Sequence, residues 1–260
     1  MLKITHNAGF FSCCFVKLYN IIKYYKETKQ IPLEVDSSSQ FNFYKISNID
    51  ITYDFFEHYN NIDIDIDSIL DTKNDKIINW DEQFVNFKTV DYKSIVPFIK
   101  KYFYPSYQIT NICKHLQLKY NIDTSNCVAL YYRGTDKCIE TKLDTFDSYY
   151  NKLREIVDKY NTMQILIQTD SAQFLDYIKN KSIKNLIIIN ENTTSYTNNG
   201  IHKEKTQKEN YIDIKNLFAT FLIISKCKYI ICSSSNGSIW IMYYRENANN
   251  VYQNLNTVWL

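Results

Sequence analysis

The chain has 260 residues, 45% hydrophobic and 22% charged, which excludes a disordered tail, a collagen and a coiled-coil rod. Thirty Lys and Arg against 28 Asp and Glu leave a formal charge of +2, so charge gives no basis for a nucleic-acid partner or an anionic membrane. The length fits one large domain or two modest ones.

In chain order, Leu2–Thr5 is predicted as a strand, followed by a loop holding Gly9. Phe15, Leu18, Ile21, Ile22 and Tyr25 have a helical period over Phe15–Glu27, and Ile31–Val35 follows as a second strand. Residues 40–92 are aromatic and irregular. Ser94–Phe103 is predicted helical, as is the stretch from Pro105-Ser106 to near Asn121. The second half is more regular. Strands are predicted at Cys127–Tyr132, Met163–Gln168, Asn185–Ile189, Tyr229–Cys232 and Val251–Asn254. Helices are predicted at about Thr145–Tyr160 with Asp144 or a neighbour as cap, Ala172–Lys179, Tyr211–Ser225 and from Ile239. Residues Asn190–Asn210 are predicted as a polar loop. Alternating strands and helices imply an α/β fold with a parallel sheet, and the chain divides near Asn121–Ser125 into residues 1–122 and 123–260.

Four Gly, 3 Pro and 23 Tyr beside much Asn, Ile and Lys read as the codon bias of an AT-rich microbial or viral genome. The glycines and arginines that survive such a bias are therefore candidates for a physical role. Seven cysteines cannot all pair within one chain, and none form a CxxC, so they read as small buried hydrophobes of a reducing compartment. The N-terminus lacks signal-peptide shape and Leu217–Ile224 is too short to span a bilayer, so a cytoplasmic protein without a membrane span is expected.

In a parallel α/β sheet, ligands bind beyond the carboxyl ends of the strands. Three polar clusters fall there: YYRGTDKCIE (131–140), QTD (168–170) and CSSSNGS (232–238). Arg133 is one of three arginines; a guanidinium reads phosphate oxygens bidentately, and Lys137 adds a cation that Asp136 can orient. Ser233, Ser234, Ser235 and Asn236 precede a predicted helix, whose free amides and dipole favour an anion. Together these features predict a nucleotide-diphosphate site. There is no Walker A or GxGxxG.

These motifs resemble those of the GT-B fucosyltransferase superfamily, which includes α1,6-fucosyltransferases, the rhizobial nodulation fucosyltransferase and protein O-fucosyltransferases. YYRGTDK stands where the family has His-x-Arg-Arg-Thr-Asp-Lys, QTD matches a strand ending in Thr-Asp, and IISKCKYIICSSSNGS is similar to the third motif, with Lys228 in place of Asp. The resemblance covers roughly residues 105–260, and NAGFF, with Gly9, Phe10 and Phe11, looks like a degenerate form of the family's Gly-rich opening turn. It implies a GT-B-like fold, two Rossmann-like halves with parallel sheets and a donor cleft between them. The first half would face the acceptor and residues 123–260 would bind the nucleotide sugar.

The resemblance further implies inverting, metal-independent transfer of a sugar, fucose from GDP-fucose first among them, to a glycan or other hydroxyl acceptor, with no cofactor. Arg133 would hold the diphosphate, with Ser233, Ser234, Ser235 and Asn236 as further donors and Asp136 and Lys137 organising the site. Thr169 and Asp170 would line the donor pocket. Tyr131 replaces the motif histidine, Gly134 its second arginine, and Thr220 the Asp that reads the base. A base-reading His and Asp are thus missing, which leaves the nucleobase open. Thr141 stands where α1,6 enzymes have a Glu, and the adjacent Glu140 is the candidate base. These departures also motivate an alternative, an inactive GT-B relative that binds a glycan or protein.

Other chemistries are weaker. Asp63–Asp67 offers a DxD pattern, read as an edge strand or polar turn; Ser68 and Asn74 exclude an EF-hand. His6, His58, His115 and His202 lack zinc-hydrolase spacing, and no GxSxG exists. Phe41–Phe56 reads as core, with a sugar-stacking surface as the alternative. His202–Lys208 is expected to be a mobile solvated loop and a candidate lid.

Overall fold

The computed structural model describes residues 1–47, 49–64, 66, 82–160 and 162–260. Asp65 and Asp67 of the DxD pattern lie outside them.

The first half opens with β1 (Leu2–Lys3), α1 (Phe10–Thr28) and β2 (Val35–Asp36), and β1 pairs in parallel with β2. A single helical turn, α2 (Thr52–Phe55), precedes α3 (Tyr92–Tyr102) and α4 (Tyr107–Lys119). Side-chain caps set where the later helices begin. Asp91 accepts the Ser94 N–H at 3.3 Å, and Ser106 accepts the Ile109 N–H at 3.4 Å.

The second half is β3 (Cys127–Tyr132), α5 (Phe146–Val157), β4 (Gln164–Thr169), α6 (Ala172–Lys179), β5 (Leu186–Ile188), α7 (Gln207–Lys226), β6 (Tyr229–Ser233), α8 (Asn236–Arg245), β7 (Val251–Leu255) and β8 (Val258–Trp259). The sheet order is β5-β4-β3-β6-β7-β8, parallel except for the β7–β8 hairpin.

Every residue of β3 is buried, because both neighbours and both faces of the strand are covered. Alternation along it then sorts side chains between two cores. Val128, Leu130 and Tyr132 join Tyr149, Leu153 and Phe174 from α5 and α6. Cys127, Ala129 and Tyr131 face the opposite way, into a core built with Phe218, Phe221 and Trp240 of α7 and α8. That second core continues without a break into Phe10, Phe11 and Phe15 of α1 and Phe98 and Phe103 of the first half. Phe11 is the joint: its ring stacks on Phe221 at 4.9 Å and lies 6.1 Å from Trp240.

Several boundaries differ from expectation. Helix α1 begins five residues early, at Phe10, because Phe10, Phe11, Cys13, Cys14 and Phe15 are all buried and only Ser12 is polar, which leaves no helical period to read. Helix α7 begins at Gln207, started by a capping box in which Thr206 and Glu209 satisfy each other's backbone amides. The cap of α5 is Thr145, within the expected range, and the adjacent Asp144 accepts the Thr145 N–H and the Ser148 hydroxyl. Strand β8 was not foreseen. It is reached through Asn256 and Thr257, both at positive φ (50° and 69°), a two-residue turn made without glycine.

Six of the seven cysteines are buried thiols; Cys138 is exposed. Among the described residues, no helix is long and apolar enough to cross a membrane.

Candidate functional site

A cavity of about 760 Å³ lies between the halves, at the carboxyl ends of β3, β4 and β6. This size suits a ligand of nucleotide-sugar scale. The first half contributes His6–Ser12, Phe43, Tyr44 and Gln83. From the second half come Tyr131, Arg133, Asp136, Lys137, Glu140, Gln168, Asp170 and Ser235–Gly237, with residues of the 193–221 region closing one side.

Arg133 leaves the end of β3 with its peptide N–H donated to Ser233 Oγ on β6 at 3.1 Å. Its guanidinium is gripped on three sides: it pairs with Asp136 and with Asp170, and donates to Thr135 Oγ1 at 2.7 Å. Asp170, from the end of β4, also accepts the Gly134 N–H at 2.7 Å and the Thr135 hydroxyl at 2.5 Å. The three residues after β3 are thus bound to one carboxylate. The side chain of Arg133 is still 22% exposed, so this fixed cation reaches the cavity.

Lys137 is almost fully buried. It donates to Gln83 Oε1 at 2.8 Å and Glu140 Oε2 at 2.5 Å, and its ammonium stands 4.8 Å from the centre of the Phe84 ring. Burial pulls its pKa down, and the bond to Glu140 opposes that pull. Glu140 itself is half exposed.

Two helix starts face the same space. Ser235 caps α8, its Oγ accepting the Ser238 N–H at 3.1 Å, and Ser235, Asn236 and Gly237 line the wall. Opposite, Gly9 to Ser12 form the first turn of α1. The first amides of a helix lack intrahelical partners and carry the positive end of its dipole, so both starts favour an anion. Phe10 donates its amide to Tyr44 Oη at 2.9 Å, and Ser12 and Cys13 donate theirs to Gly9 O at 2.9 and 3.0 Å.

The structure brings together Gly9, Phe10, Phe11, Tyr131, Arg133, Asp136, Lys137, Glu140, Asp170, Ser235 and Asn236 on the cavity wall. It leaves four sequence-expected residues off it. Thr169 Oγ1 accepts the Ser171 N–H at 3.0 Å. Ser233 Oγ accepts from Arg133 N–H and from the Tyr149 hydroxyl, while Ser234 Oγ donates to Asn254 O at 2.8 Å. Thr220 is fully buried, donates to Asn216 O at 2.9 Å and accepts from Asn192 Nδ2 at 2.9 Å. These hydroxyls hold the frame of the site.

The departures at Tyr131 and Gly134 have packing reasons. The Tyr131 ring meets Phe221 edge-on at 5.0 Å, and a Cβ on Gly237 would come 2.7 Å from its hydroxyl, so Tyr131 fits because position 237 has no side chain. A Cβ on Gly134 would stand 2.6 Å from Tyr132 Cε1 and 2.9 Å from Ser171 Cβ. Tyr132 is stacked on Phe174 at 4.3 Å and cannot withdraw easily. Gly134→Ala is therefore expected to destabilise the protein by about 1–3 kcal/mol, read as a drop in the thermal midpoint.

Sequence reasoning missed His6, Ser12, Gln83, His202 and Asp213, all on the cavity wall. The strand-end rule could have found His6, which directly follows the predicted first strand; Gln83 and His202 carry no local signal. Most of the 202–208 segment is exposed, but it is tied to the first half at both ends. His202 packs edge-on against Phe43 at 4.7 Å, Gln207 donates to Asn42 O at 2.8 Å, and Asn210 donates to Phe43 O at 3.1 Å. Burial lowers the pKa of His202, with the Asp136 carboxylate opposing. Among the described residues, no cluster of three or more His, Cys, Asp or Glu side chains could hold a metal ion.

No protein-family model and no curated protein matches the chain. Solved structures do. A crystal structure of NodZ α-1,6-fucosyltransferase co-crystallised with GDP superposes with a TM-score of 0.60 at 12% identity, covering 97% of this chain and 93% of that one. A second, soaked with GDP-fucose, gives 0.56 at 11% identity, covering 94% and 91%. Over nearly its whole length, the chain has the α/β, GT-B fold of that fucosyltransferase.

Proposed function

We propose that the protein is a glycosyltransferase that moves a sugar from a nucleotide-diphosphate donor, GDP-fucose being the first candidate, to a hydroxyl of a glycan-type acceptor, with inversion and without a metal. One observation carries the reading. Arg133, Lys137 and the first turns of α1 and α8 converge on one cavity at the strand ends, in a fold shared with a transferase crystallised with GDP.

The chemistry fits those groups. As the sugar–phosphate bond breaks, the diphosphate gains negative charge and the sugar becomes oxocarbenium-like. Fixed donors aimed at the diphosphate lower that barrier because they need no reorganisation at the moment of reaction. Arg133 and the Ser235–Gly237 amides would take the diphosphate, with Lys137 beside them. In this reading Asp136 and Asp170 position Arg133 rather than bind donor. Residues 1–122 would build the acceptor side and 123–260 the donor side. The six buried thiols suit the same proposal's cytoplasmic, reducing setting.

Titration calorimetry against GDP, UDP and their sugars tests the proposal. A GDP dissociation constant in the micromolar range, about −8 kcal/mol, is expected. No heat with any of these nucleotides would end the transferase reading.

A further inference from the structure

We infer that His6, acting through the Ser12 hydroxyl, takes the proton of the acceptor; the inference rests on the glycosyl-transfer reading above. An attacking hydroxyl must lose its proton, and the sequence pointed to Glu140. Every described carboxylate on the cavity wall is already ion-paired. Glu140 pairs with Lys137, Asp136 and Asp170 with Arg133, and Asp213 with Lys205. An adjacent cation favours the charged carboxylate and weakens it as a proton acceptor.

Two imidazoles remain on the wall, His6 and His202. His202 also reaches the first half, its Cε1 lying 3.8 Å from where a Cβ on Gly9 would stand. Its ring is set against Phe43, and the Asp136 carboxylate favours its charged form. What sets His6 apart is a hydroxyl that can relay a proton: the imidazole lies just beyond β1, with Nε2 3.1 Å from the Oγ of Ser12 in the first turn of α1. Both His6 and Ser12 line the cavity. Burial lowers the His6 pKa from its ordinary 6.5, so the ring is neutral near pH 7 and can accept a proton. Facing the same cavity are the cations Arg133, Lys137 and Lys203, the carboxylates Asp136, Asp170, Glu140 and Asp213, and His202.

The step balances without any further reactant. The acceptor oxygen forms its bond to the anomeric carbon as its O–H bond breaks. That proton passes to Ser12 Oγ while the proton of Ser12 passes to His6 Nε2. The bond from the anomeric carbon to the diphosphate oxygen breaks, and its electron pair leaves with the diphosphate toward Arg133.

The test is hydrolysis of GDP-fucose with water as acceptor, read as GDP release between about pH 5 and 8, with GDP affinity by calorimetry and far-UV circular dichroism on the same samples. The unmodified protein should lose turnover as pH falls and His6 becomes charged. In His6→Gln that acid limb should vanish and kcat should fall about 100-fold or more, with GDP affinity retained. Free imidazole should restore turnover to His6→Ala. Ser12→Ala should lower kcat and keep the acid limb. Wild-type turnover in His6→Gln, or an acid limb that persists there, overturns the inference and leaves the donor site standing. If His6→Gln does not fold, unchanged turnover in Ser12→Ala overturns it instead. Absence of GDP binding by the unmodified protein overturns the transferase reading, and this one with it.

Discussion

Arg133→Ala is expected to lower turnover of a nucleotide-diphosphate sugar by about 10²–10³-fold, or ~2–4 kcal/mol of transition-state stabilisation. The size follows from how the side chain is held. Asp136, Asp170 and Thr135 fix three sides of the guanidinium, and its own peptide N–H is tied to Ser233 on the next strand. Such a cation is already oriented before charge develops on the leaving diphosphate. Alanine removes it and also leaves Asp136 and Asp170 facing the cavity without their countercharge, so GDP affinity should fall together with kcat. Arg133→Lys should recover little. An ammonium cannot bridge two carboxylates and still offer a fork to a phosphate. The measurement is GDP release under saturating donor, paired with GDP titration. Wild-type kcat in Arg133→Ala would remove Arg133 from the chemistry.

Lys17→Met is expected to raise stability by about 3 kcal/mol near neutral pH. Lys17 lies inside the core of the first half, 2% exposed, with Thr52 Oγ1 at 3.3 Å as its hydrogen-bond acceptor and the Phe103 ring centre at 6.0 Å. Burial pulls its pKa down to about 8 from the ordinary 10.5, only partly opposed by the Asp50 carboxylate. At about 1.36 kcal/mol per tenfold, that difference is the ~3 kcal/mol lost to burying the charged form. Asp50 keeps other partners, the Ser37 and Thr52 amides, so removing the ammonium does not orphan it. The sign with pH follows from linkage. Between about pH 8 and 10.5 the folded protein holds fewer protons at this site than the unfolded chain, so stability rises with pH there. Denaturant melts at pH 7 and 10 check both points. The unmodified protein should gain stability at the higher pH relative to Lys17→Met, and equal responses of the two proteins would refute the buried charge.

The parts of the fold that were legible are those where one physical cause dominates. Strand β3 and helix α6 run over the residues the pattern marked, Cys127–Tyr132 and Ala172–Lys179, because each is buried against a defined partner and bounded by polar residues. Arg133, Lys137, Asp170 and Ser235 could be found because strand-end residues in a parallel sheet converge. What the pattern could not separate were residues on the cavity wall from residues behind it, since Ser233, Ser234 and Ser235 are adjacent and only Ser235 reaches the cavity wall. Gln83 was hidden in an aperiodic stretch, brought to Lys137 by tertiary packing alone. Two of the three arginines are held by several partners. Arg133 lines the cavity and pairs with Asp136 and Asp170, and Arg245 donates to Ser225 O and Cys227 O, closing the end of α7. Arg154 makes an exposed pair with Asp158. All four glycines cluster at the site: Gly9 and Gly237 line it, Gly134 sits behind Arg133, and a Cβ on Gly200 would come 2.8 Å from Asp136 Oδ2.

The strand order has a consequence for how the chain is made. Strand β3 lies between β4 and β6, and its partner Tyr229 is separated from Val128 by the whole of α5 through α7. During synthesis β3 and β4 can pair early, yet the other edge of β3, wholly apolar in its side chains, stays open until β6 has emerged. The far edge of β6 then waits for β7, near the end of the chain. Distant parallel pairings of this kind close slowly and expose a sticky strand edge meanwhile. Recombinant yield should therefore depend on translation speed and chaperone supply, and truncation before residue 251 should give aggregate rather than a smaller folded protein.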